Sequence, residues 1–246
     1  KEVTNLLKLY DQVYSTFNLK YSIVLSTRPE EGYIGDIETW NRAEAILAKC
    51  LEDSHIPYKI NPGDGAFYGP KLDFKLQDSL KRIWQCGTIQ LDMNLPARFE
   101  CVYTDADGSK KTPLMLHRAI FGSLERFTGI ILEHFKGILP CWLAPNQVTV
   151  LPIGASANSY ANKVLDTLKS CKIRCNINTS DDNLNKRIHD AMTSKTSYVL
   201  VVGDKEAENN SVSVRVLASN KRMNMSLDEF IDFIEKKISS HAVELD

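Results

Sequence analysis

The sequence of 246 residues predicts an α+β domain followed by an α/β domain. Before residue 140, short alternating apolar runs stand among amphipathic helical stripes, which is the pattern of an antiparallel sheet with helices. After Pro145, strand and helix patterns alternate, which favours a layered α/β domain of about a hundred residues. The segment containing Pro140, Trp142 and Pro145 is therefore the predicted boundary, giving domains 1–145 and 146–246.

Composition excludes several classes of protein. Hydrophobic residues make up 43% and charged residues 25%, as in globular proteins, and we expect neither a signal peptide nor a membrane span. The net charge is −1, with 17 basic and 18 acidic residues up to Pro145 and 13 of each beyond it. Bulk charge therefore does not indicate nucleic-acid binding, and any RNA contact must come from local patches. The six scattered cysteines are expected to be reduced thiols.

Helical stripes and alternating runs define the elements of the first domain. Stripes predict a helix from Val3 to Phe17 and a second helix capped by Asp36. Between Leu114 and Phe135 the apolar pattern passes from alternation to helical spacing, which predicts a strand that runs into a helix with Gly122 and Arg126 near its start. Leu72–Leu76 and Arg82–Asp92 are predicted to pair as an antiparallel hairpin. A second hairpin is expected around the turn at 105–108, a better interpretation than a calcium loop, which would need a later acidic ligand.

The second domain is predicted to contain four strands and three helices. Its strands are Val148–Ile153, Ile173–Ile177, Tyr198–Val202 and Val212–Leu217, and a charged turn is expected to join the last two. Helices are predicted over Ser156–Ser170, around Leu184–Met192 and over Ser226–Ser239. In the last helix, Ser226 is the expected N-cap and Glu229 its capping-box partner.

Residue types suited to a small-molecule pocket concentrate between Gly65 and Arg126. The segments are Gly-Ala-Phe-Tyr-Gly-Pro-Lys at 65–71, Trp-Gln-Cys-Gly-Thr-Ile-Gln at 84–90 and His-Arg-Ala-Ile-Phe-Gly-Ser-Leu-Glu-Arg-Phe at 117–127. Glycines let a ligand approach the backbone, and an arginine can hold phosphate through two hydrogen bonds. Taken alone, the last segment is equally compatible with a core helix that carries a packing glycine and a surface arginine.

The sequence leaves two interpretations open for Gln85, Gln90 and His117. Alternation would place Gln85 and Gln90 on opposite faces of their strand, and a bulge at Gly87 would bring them together. Otherwise both glutamines are exposed edge residues. His117 is either a hydrogen-bonded core histidine or a metal ligand, and the sequence offers no convincing set of three or four zinc ligands.

Gly-Ser-Leu-Glu-Arg at 122–126 resembles motif 3 of the class II aminoacyl-tRNA synthetases. Together with segments 65–71, 84–92 and 116–123, it is similar to the threonyl-tRNA synthetase family, and the resemblance covers the whole chain. It implies part of an α+β class II catalytic core, from after motif 2 through motif 3, followed by an α/β anticodon-binding domain with a mixed sheet. The implied reaction joins L-threonine to tRNA(Thr) through an ATP-dependent threonyl-adenylate, in the cytoplasm.

The resemblance also implies roles for single residues. Tyr68 and Gln90 match the threonine pocket, whereas the ATP side, with Mg²⁺, is matched by Gln85, Thr88, Ser123, Arg126 and, more weakly, Lys71. Arg126 is the candidate catalytic residue. His117 matches one of the three zinc ligands of the family, a cysteine and two histidines, and the other two are expected upstream of this chain. Zinc in that family binds the threonine hydroxyl, which valine lacks and which a hydrophobic pocket would distinguish only weakly.

In the second domain, Arg215 and Glu206 match positions that read anticodon bases. An arginine can bind guanine through two hydrogen bonds, and unstacked loop bases expose the necessary edges. Without the resemblance, Arg215 would be interpreted as a solvent-exposed charge on a strand and Glu206 as a residue in a turn. Segment 184–188 is similar to the eukaryotic branch, but His189 replaces the usual arginine and 181–182 is acidic, which leaves the base contacts open.

Motifs 1 and 2, which the family needs for dimer formation and for binding the α-phosphate, are not found, nor is an editing domain. We therefore expect a portion of a longer protein that is a homodimer at full length. The 246 residues alone are expected to be unable to activate threonine. The alternatives are a synthetase-derived RNA-binding module without catalysis and a sister synthetase such as the prolyl type.

Overall fold

The computed structural model describes residues 1–217, 219 and 221–246 of the chain. The chain divides into two compact units, Lys1–Ile131 and Leu132–Asp246. In the described part of each unit, the main sheet has five strands. No helix within the described residues is long and apolar enough to cross a membrane. The predicted domain boundary at residue 145 stays a prediction.

The first unit has one mixed sheet, in which a single pair of strands is parallel among the residues described. Its strand order is β2-β1-β3-β4-β7, with β1 and β2 parallel and the other pairs antiparallel, and β5 and β6 form a separate hairpin. The elements are α1 (Glu2–Thr16), β1 (Tyr21–Ser26), α2 (Ile37–Asp53), β2 (Tyr58–Asn61), β3 (Lys71–Gln77), β4 (Ile83–Asp92), α3 (Leu95–Arg98), β5 (Tyr103–Thr104), β6 (Lys110–Lys111), β7 (Met115–Ala119) and α4 (Leu124–His134). The first predicted hairpin is confirmed. The second forms around the predicted turn but pairs only Tyr103–Thr104 with Lys110–Lys111, because Phe99 caps α3 and Met115–Ala119, expected in part to belong to this hairpin, pairs with β4.

Helix α1 covers one face of this sheet. Its buried stripe is Leu7, Tyr10 and Tyr14, and the ring of Tyr10 lies 4.2 Å from that of Phe74 on β3. The Tyr10 hydroxyl donates to the carbonyl oxygens of Thr88 and Ala119, each 2.8 Å away. Buried tyrosines need such partners, since an unpaired hydroxyl would be costly. The opposite face of the sheet is thereby left to the polar side chains described below.

A glycine in β4 permits this close packing. A Cβ at Gly87 would clash with the Tyr14 hydroxyl and come within 2.9 Å of Tyr10 Cε1. We expect Gly87→Ala to lower the free energy of unfolding by about 1–3 kcal/mol, as overpacking of a core does. Urea denaturation measures this. The control is Gly129→Ala in α4, where a Cβ meets nothing within 4 Å and helix propensity should stabilise the chain slightly. Equal urea midpoints for the two variants would contradict the packing argument.

The second unit is a three-layer α/β domain. Its sheet order is β12-β11-β10-β8-β9, with β8, β9 and β10 parallel and the remaining pairs antiparallel, so the mixed sheet is as expected. The core places α5 and α8 on one face and α6 on the other. The elements are β8 (Val148–Pro152), a 3-10 turn (Ala155–Ala157), α5 (Asn158–Ser170), β9 (Cys175–Ile177), α6 (Leu184–Thr193), β10 (Tyr198–Val202), α7 (Asp204–Glu208), β11 (Ser211–Val216), β12 (Arg222–Ser226) and α8 (Leu227–Ser239).

Two features of this unit differ from expectation. The charged turn between β10 and β11 is a short helix, α7. The backbone N–H of its N-cap residue, Gly203, donates to the Glu206 carboxylate. The edge strand β12 was not predicted, because Arg222 to Ser226 contains no apolar run beyond two methionines and pairs on one side with β11. The capping box of Ser226 and Glu229 at the start of α8 is confirmed.

Candidate functional site

A β-bulge decides which side chains of β4 share a face. The β3–β4 register pairs Phe74 with Gly87 but Lys75 with Gln85, so Cys86 is an extra residue on β4. If Cys86 were paired as in a regular strand, Gln85 would share the core-side face of Gly87. Because Cys86 is left out of the pairing, Gln85 lies on the face that carries Thr88 and Gln90. The predicted bulge is confirmed, at Cys86 rather than at its neighbour Gly87.

We call this polar side of the first sheet the site face. Strand register aligns Gln90 between Lys71 of β3 and His117 of β7, and it aligns Thr88 with Asp73. The hydroxyl of Thr88 is buried and has no hydrogen-bond partner among the residues described. A buried polar atom without a partner in a protein interior calls for a ligand or water. The side chains of the site face are Lys71, Asp73, Gln85, Thr88, Gln90, Asp92 and His117.

Tyr68 stands over one end of the site face. Its hydroxyl donates to Gln90 Oε1 in a short hydrogen bond, and its ring centre lies 5.6 Å from that of His117. Burial, aided by the charge of Asp92 and opposed by that of Lys71, raises the pKa of Tyr68, so its hydroxyl stays protonated and can donate. A Cβ on Gly69 would collide with the Leu91 carbonyl, which explains why glycine is needed where this loop crosses β4.

His117 is held by a buried carboxylate. Its Nε2 lies 2.7 Å from Oδ2 of Asp92, whose side chain is 0% exposed. Burial disfavours the charged form of Asp92, but hydrogen bonds from His117 and from the backbone N–H groups of Leu95 and Asn94 outweigh it and lower the pKa. A carboxylate only accepts hydrogen bonds, so the His117 nitrogen that faces it must be the donating one; in a neutral imidazole, Nδ1 then keeps its lone pair.

That arrangement fits one metal ligand but not a whole metal site. Metal-binding histidines usually donate their second nitrogen to a carboxylate, as His117 does to Asp92. Within the described ranges, however, no group of three His, Cys, Asp or Glu side chains could hold a metal ion. The described residues therefore do not form a complete zinc site, which needs three or four ligands.

Arg126 lies beside the bulge, on the first turn of α4. Its Nη1 is 3.4 Å from the Gln85 carbonyl oxygen, and its guanidinium carbon is 5.6 Å from the ring centre of Trp84. The Ser123 hydroxyl accepts from the Arg126 backbone N–H, 3.2 Å away, and so caps the helix. Gly122 has a φ of +66°, and a Cβ there would come within 2.9 Å of the Cys86 carbonyl. Glycine is therefore required for α4 to begin against the bulge.

The indole of Trp84 is held by a hydrogen bond to a buried aspartate, Asp78. Trp84 Nε1 and Arg82 Nε donate to Asp78 Oδ2 over 2.9 and 2.5 Å. Burial of Asp78 opposes its ionisation, but the hydrogen bonds from Trp84 and Arg82 and the positive charge of Arg82 prevail and lower its pKa from 3.8 to about 2. The ring that faces Arg126 is therefore fixed by a carboxylate charged at all physiological pH values.

This anchor gives a pH dependence. Because the pKa of Asp78 is lower in the folded chain, its contribution to stability is complete above pH 3.8 and is lost as the pH falls through about 2. The unfolding free energy of the wild type should therefore exceed that of Asp78→Asn at neutral pH, and the difference should shrink on acidification over that window. Urea denaturation of both proteins at each pH measures it. A difference that does not change with pH would contradict the anchor.

In the second unit, Arg215 and Glu206 are not joined by any hydrogen bond or ion pair that the described residues make. Arg215 lies on β11, opposite Val199 of β10 and Arg222 of β12. Burial and the charge of Arg222 lower its pKa. Glu206 Oε2 accepts from the Gly203 N–H over 2.9 Å, so this carboxylate has a structural partner.

Sequence reasoning missed two carboxylates of the site face, Asp73 and Asp92. Both occupy positions in strands whose neighbours alternate with apolar residues, so each belongs to the polar face by its spacing. Their spacing in the sequence therefore could have identified both as residues of the polar face. Their burial could not be predicted, since it depends on which loops and side chains cover the sheet.

Two family profiles match the chain. The tRNA synthetase class II core domain (G, H, P, S and T) matches residues 1–135. The anticodon binding domain matches residues 147–237. The first match covers more than half of the chain.

Curated relatives and solved structures agree with these profiles. The chain is 44% identical over 240 residues to the threonine–tRNA ligase of Chlamydia felis and 46% identical over 242 residues to that of Caldanaerobacter subterraneus subsp. tengcongensis. Each alignment covers 98% of this chain but only 38% and 37% of the relative, so the chain spans less than two fifths of their length.

Among solved structures, the chain is similar to the RNA binding domain of threonyl-tRNA synthetase from Cryptosporidium parvum Iowa II, with a TM-score of 0.90 and 38% identity over 99% of this chain and 60% of that one. It is also similar to the putative threonyl-tRNA synthetase ThrRS-1 of Aeropyrum pernix, with a TM-score of 0.75 and 27% identity, covering 99% of this chain and 61% of that one.

Proposed function

The chain belongs to the class II aminoacyl-tRNA synthetases, and from this we propose that it is part of a threonine–tRNA ligase. In the longer protein it would help to convert L-threonine and ATP into threonyl-adenylate and pass the acyl group to tRNA(Thr). The observation that carries the proposal is the site face. It collects the residues matched to threonine and to ATP from β3, β4 and β7, with Tyr68 and Arg126 beside them.

On the nucleotide side, we propose that Arg126 binds the triphosphate of ATP, which arrives with Mg²⁺. Its guanidinium is exposed, yet the Gln85 carbonyl and the Trp84 ring restrain it. A restrained guanidinium stabilises negative charge as the threonine carboxylate displaces pyrophosphate, and it does so without reorganising. The other residues proposed for the nucleotide side are Gln85, Thr88, Ser123 and, more weakly matched, Lys71.

On the amino-acid side, Tyr68, Gln90 and His117 are proposed to hold threonine. Tyr68 and Gln90 are already joined by a hydrogen bond, so their orientation is set before the substrate arrives. His117 would bind zinc through Nδ1, together with ligands from outside this chain. The chemistry that a bound zinc ion supplies is recognition of the threonine hydroxyl, which valine lacks. The part played by this chain is to orient the imidazole through Asp92.

We also propose roles in anticodon reading and dimer formation, and a cytoplasmic location. Arg215 and Glu206 are proposed to read anticodon bases, and the full-length protein is proposed to be a homodimer in the cytoplasm. All six cysteines are free thiols, as a reducing compartment would keep them.

Arg215 provides a test that separates tRNA recognition from amino-acid activation. We expect Arg215→Ala to cost about 1–3 kcal/mol of tRNA(Thr) binding, the usual value of an arginine–guanine pair, and to leave threonine-dependent ATP–pyrophosphate exchange unchanged. Filter binding and exchange assays measure the two quantities. Lys221→Ala, which removes a nearby exposed charge, is the control for general electrostatic attraction. Equal losses in the two variants would contradict base reading by Arg215.

The experiment that tests the whole proposal uses the chain extended to the length of its curated relatives. Stoichiometric zinc and threonine-selective ATP–pyrophosphate exchange would support it. The 246-residue chain alone is predicted to show no exchange. An extended protein that binds tRNA but contains no zinc and catalyses no exchange would favour a non-catalytic RNA-binding module. That alternative is the one suggested by the description of the Cryptosporidium structure as an RNA binding domain.

A further inference from the structure

Asp73 is a deeply buried charged group of the site face, and it contacts residues from three strands. It lies on β3 and is 1% exposed. Its Oδ1 accepts from Nε2 of Gln85 over 2.6 Å, and its Oδ2 accepts from the Ser26 hydroxyl over 2.8 Å. The Lys71 ammonium lies 3.2 Å from the same Oδ2. One buried carboxylate therefore contacts two residues of the nucleotide side, Lys71 of β3 and Gln85 of β4.

The contact with Asp73 decides which end of the Gln85 amide faces the site. A carboxylate only accepts hydrogen bonds, whereas a glutamine amide has a donating nitrogen and an accepting oxygen. Gln85 must therefore turn Nε2 down to Asp73, and Oε1 points the other way. In the part of the chain that the structure describes, Oε1 takes part in no hydrogen bond. Gln85 is exposed, so this oxygen is open to a ligand.

The bulge at Cys86 makes this contact possible. It moves Gln85 onto the face of Asp73, although the register pairs Asp73 with Thr88. A second carboxylate, Asp64, lies 3.6 Å from the Lys71 ammonium, so the lysine is shared between two negative groups. Lys71 is consequently restrained at its tip and only partly available to a phosphate.

We propose that Asp73 is a positioning residue that locks Gln85 with its side-chain oxygen toward the nucleotide, as an acceptor for a hydrogen-bond donor or cation of the bound ATP complex. The inference rests on the proposed function, since it requires ATP at the site face. It goes further in stating that Gln85 presents an acceptor and therefore meets an electron-poor group, not a phosphate oxygen. Two sources offer that chemistry: the hydrogen-bond donors of the nucleoside, which are the adenine amino group and the ribose hydroxyls, and the Mg²⁺ ion.

The test uses the full-length protein and measures ATP and threonine binding by calorimetry. An asparagine at 73 can accept or donate, so Asp73→Asn removes both the charge and the forced orientation of Gln85. We expect it to raise the Kd for ATP about tenfold, as the loss of a hydrogen bond to a charged group does, with the Kd for threonine unchanged. Asp36→Asn is the control, because it removes a hydrogen-bonded carboxylate at the exposed start of α2.

A double-mutant cycle with Gln85→Ala distinguishes positioning from general structural support. If Asp73 acts through Gln85, the double variant should bind ATP no more weakly than Gln85→Ala alone. Repeating the titrations with EDTA identifies the source. A loss of ATP affinity seen only with Mg²⁺ present assigns the cation, and a loss that persists in EDTA assigns a hydrogen-bond donor of the nucleoside.

The inference is overturned if Asp73→Asn binds ATP like the wild type, or if the two substitutions weaken binding independently. Should Asp73→Asn fail to fold, as its melting curve would show, Gln85→Ala at an exposed position still decides: unchanged ATP affinity overturns the acceptor role. A wild-type protein that binds ATP but catalyses no threonine-dependent exchange counts against the proposed function and leaves the Asp73 cycle interpretable. A wild-type protein that binds no ATP counts against both.

Discussion

Replacing Arg126 with alanine in the full-length protein is expected to lower kcat for threonine-dependent ATP–pyrophosphate exchange by about 10²–10³-fold, the usual loss when one preorganised donor to transition-state charge is removed. The guanidinium is exposed on α4 and is restrained by the Gln85 carbonyl and the Trp84 ring. Arg126→Lys should recover little of the rate, because an ammonium cannot make two parallel hydrogen bonds to a phosphate group.

The control for this prediction is Arg42→Ala, which removes an exposed arginine from α2. Steady-state exchange assays give kcat and KM separately. Activity of Arg126→Ala within about threefold of Arg42→Ala would contradict the catalytic role, since loss of a transition-state contact is far larger than that. A rise in the KM for ATP with unchanged kcat would assign Arg126 to ground-state binding instead.

His117→Asn is expected to remove zinc from the full-length protein and, with it, most threonine-dependent exchange. Asparagine can still donate to Asp92 but offers no imidazole nitrogen to a metal. Asp92→Asn should have a smaller effect on zinc content and weaken zinc binding by about 10–100-fold, as loss of the carboxylate that hydrogen-bonds to a metal-binding histidine does. Elemental analysis gives zinc content, and exchange assays with threonine and with valine give selectivity.

The control is His55→Asn, at an exposed histidine whose positive φ of 56° asparagine tolerates. It should retain full zinc and exchange. Stoichiometric zinc in His117→Asn would show that His117 is a core residue hydrogen-bonded to Asp92, the plainer of the two interpretations that its sequence context permits.

Elements with strong periodicity were predictable from the sequence. The stripe of α1 and the alternation of β3 and β4 follow from apolar spacing, and the start of α8 follows from a capping box. The family and both fold classes, predicted from the motif resemblance, are confirmed by the matching profiles. The weakly apolar edge strand β12 was not predictable, because its pairing with β11 comes from tertiary context.

The candidate site was predictable as a set of residues but not as a geometry. Alternation alone puts Gln85 on the wrong face, and only the three-dimensional register shows where the bulge lies. The links from Asp73 to Gln85 and from Asp92 to His117 join residues 12 and 25 positions apart, which no local pattern encodes. The roles assigned to Arg126, Tyr68 and Arg215 remain predictions that the variants above address.

The extra residue at Cys86 also determines where this segment can change in length. Odd and even positions exchange sides at that point, so deleting residue 86 alone would restore regular alternation and leave Gln85 on the side opposite Gly87. Deleting Thr88 or Ile89 instead would turn the side chains on one side of the gap to the other face of the sheet, as a one-residue shift of register does. The strand should therefore accept the loss of Cys86 far more readily than the loss of Thr88 or Ile89.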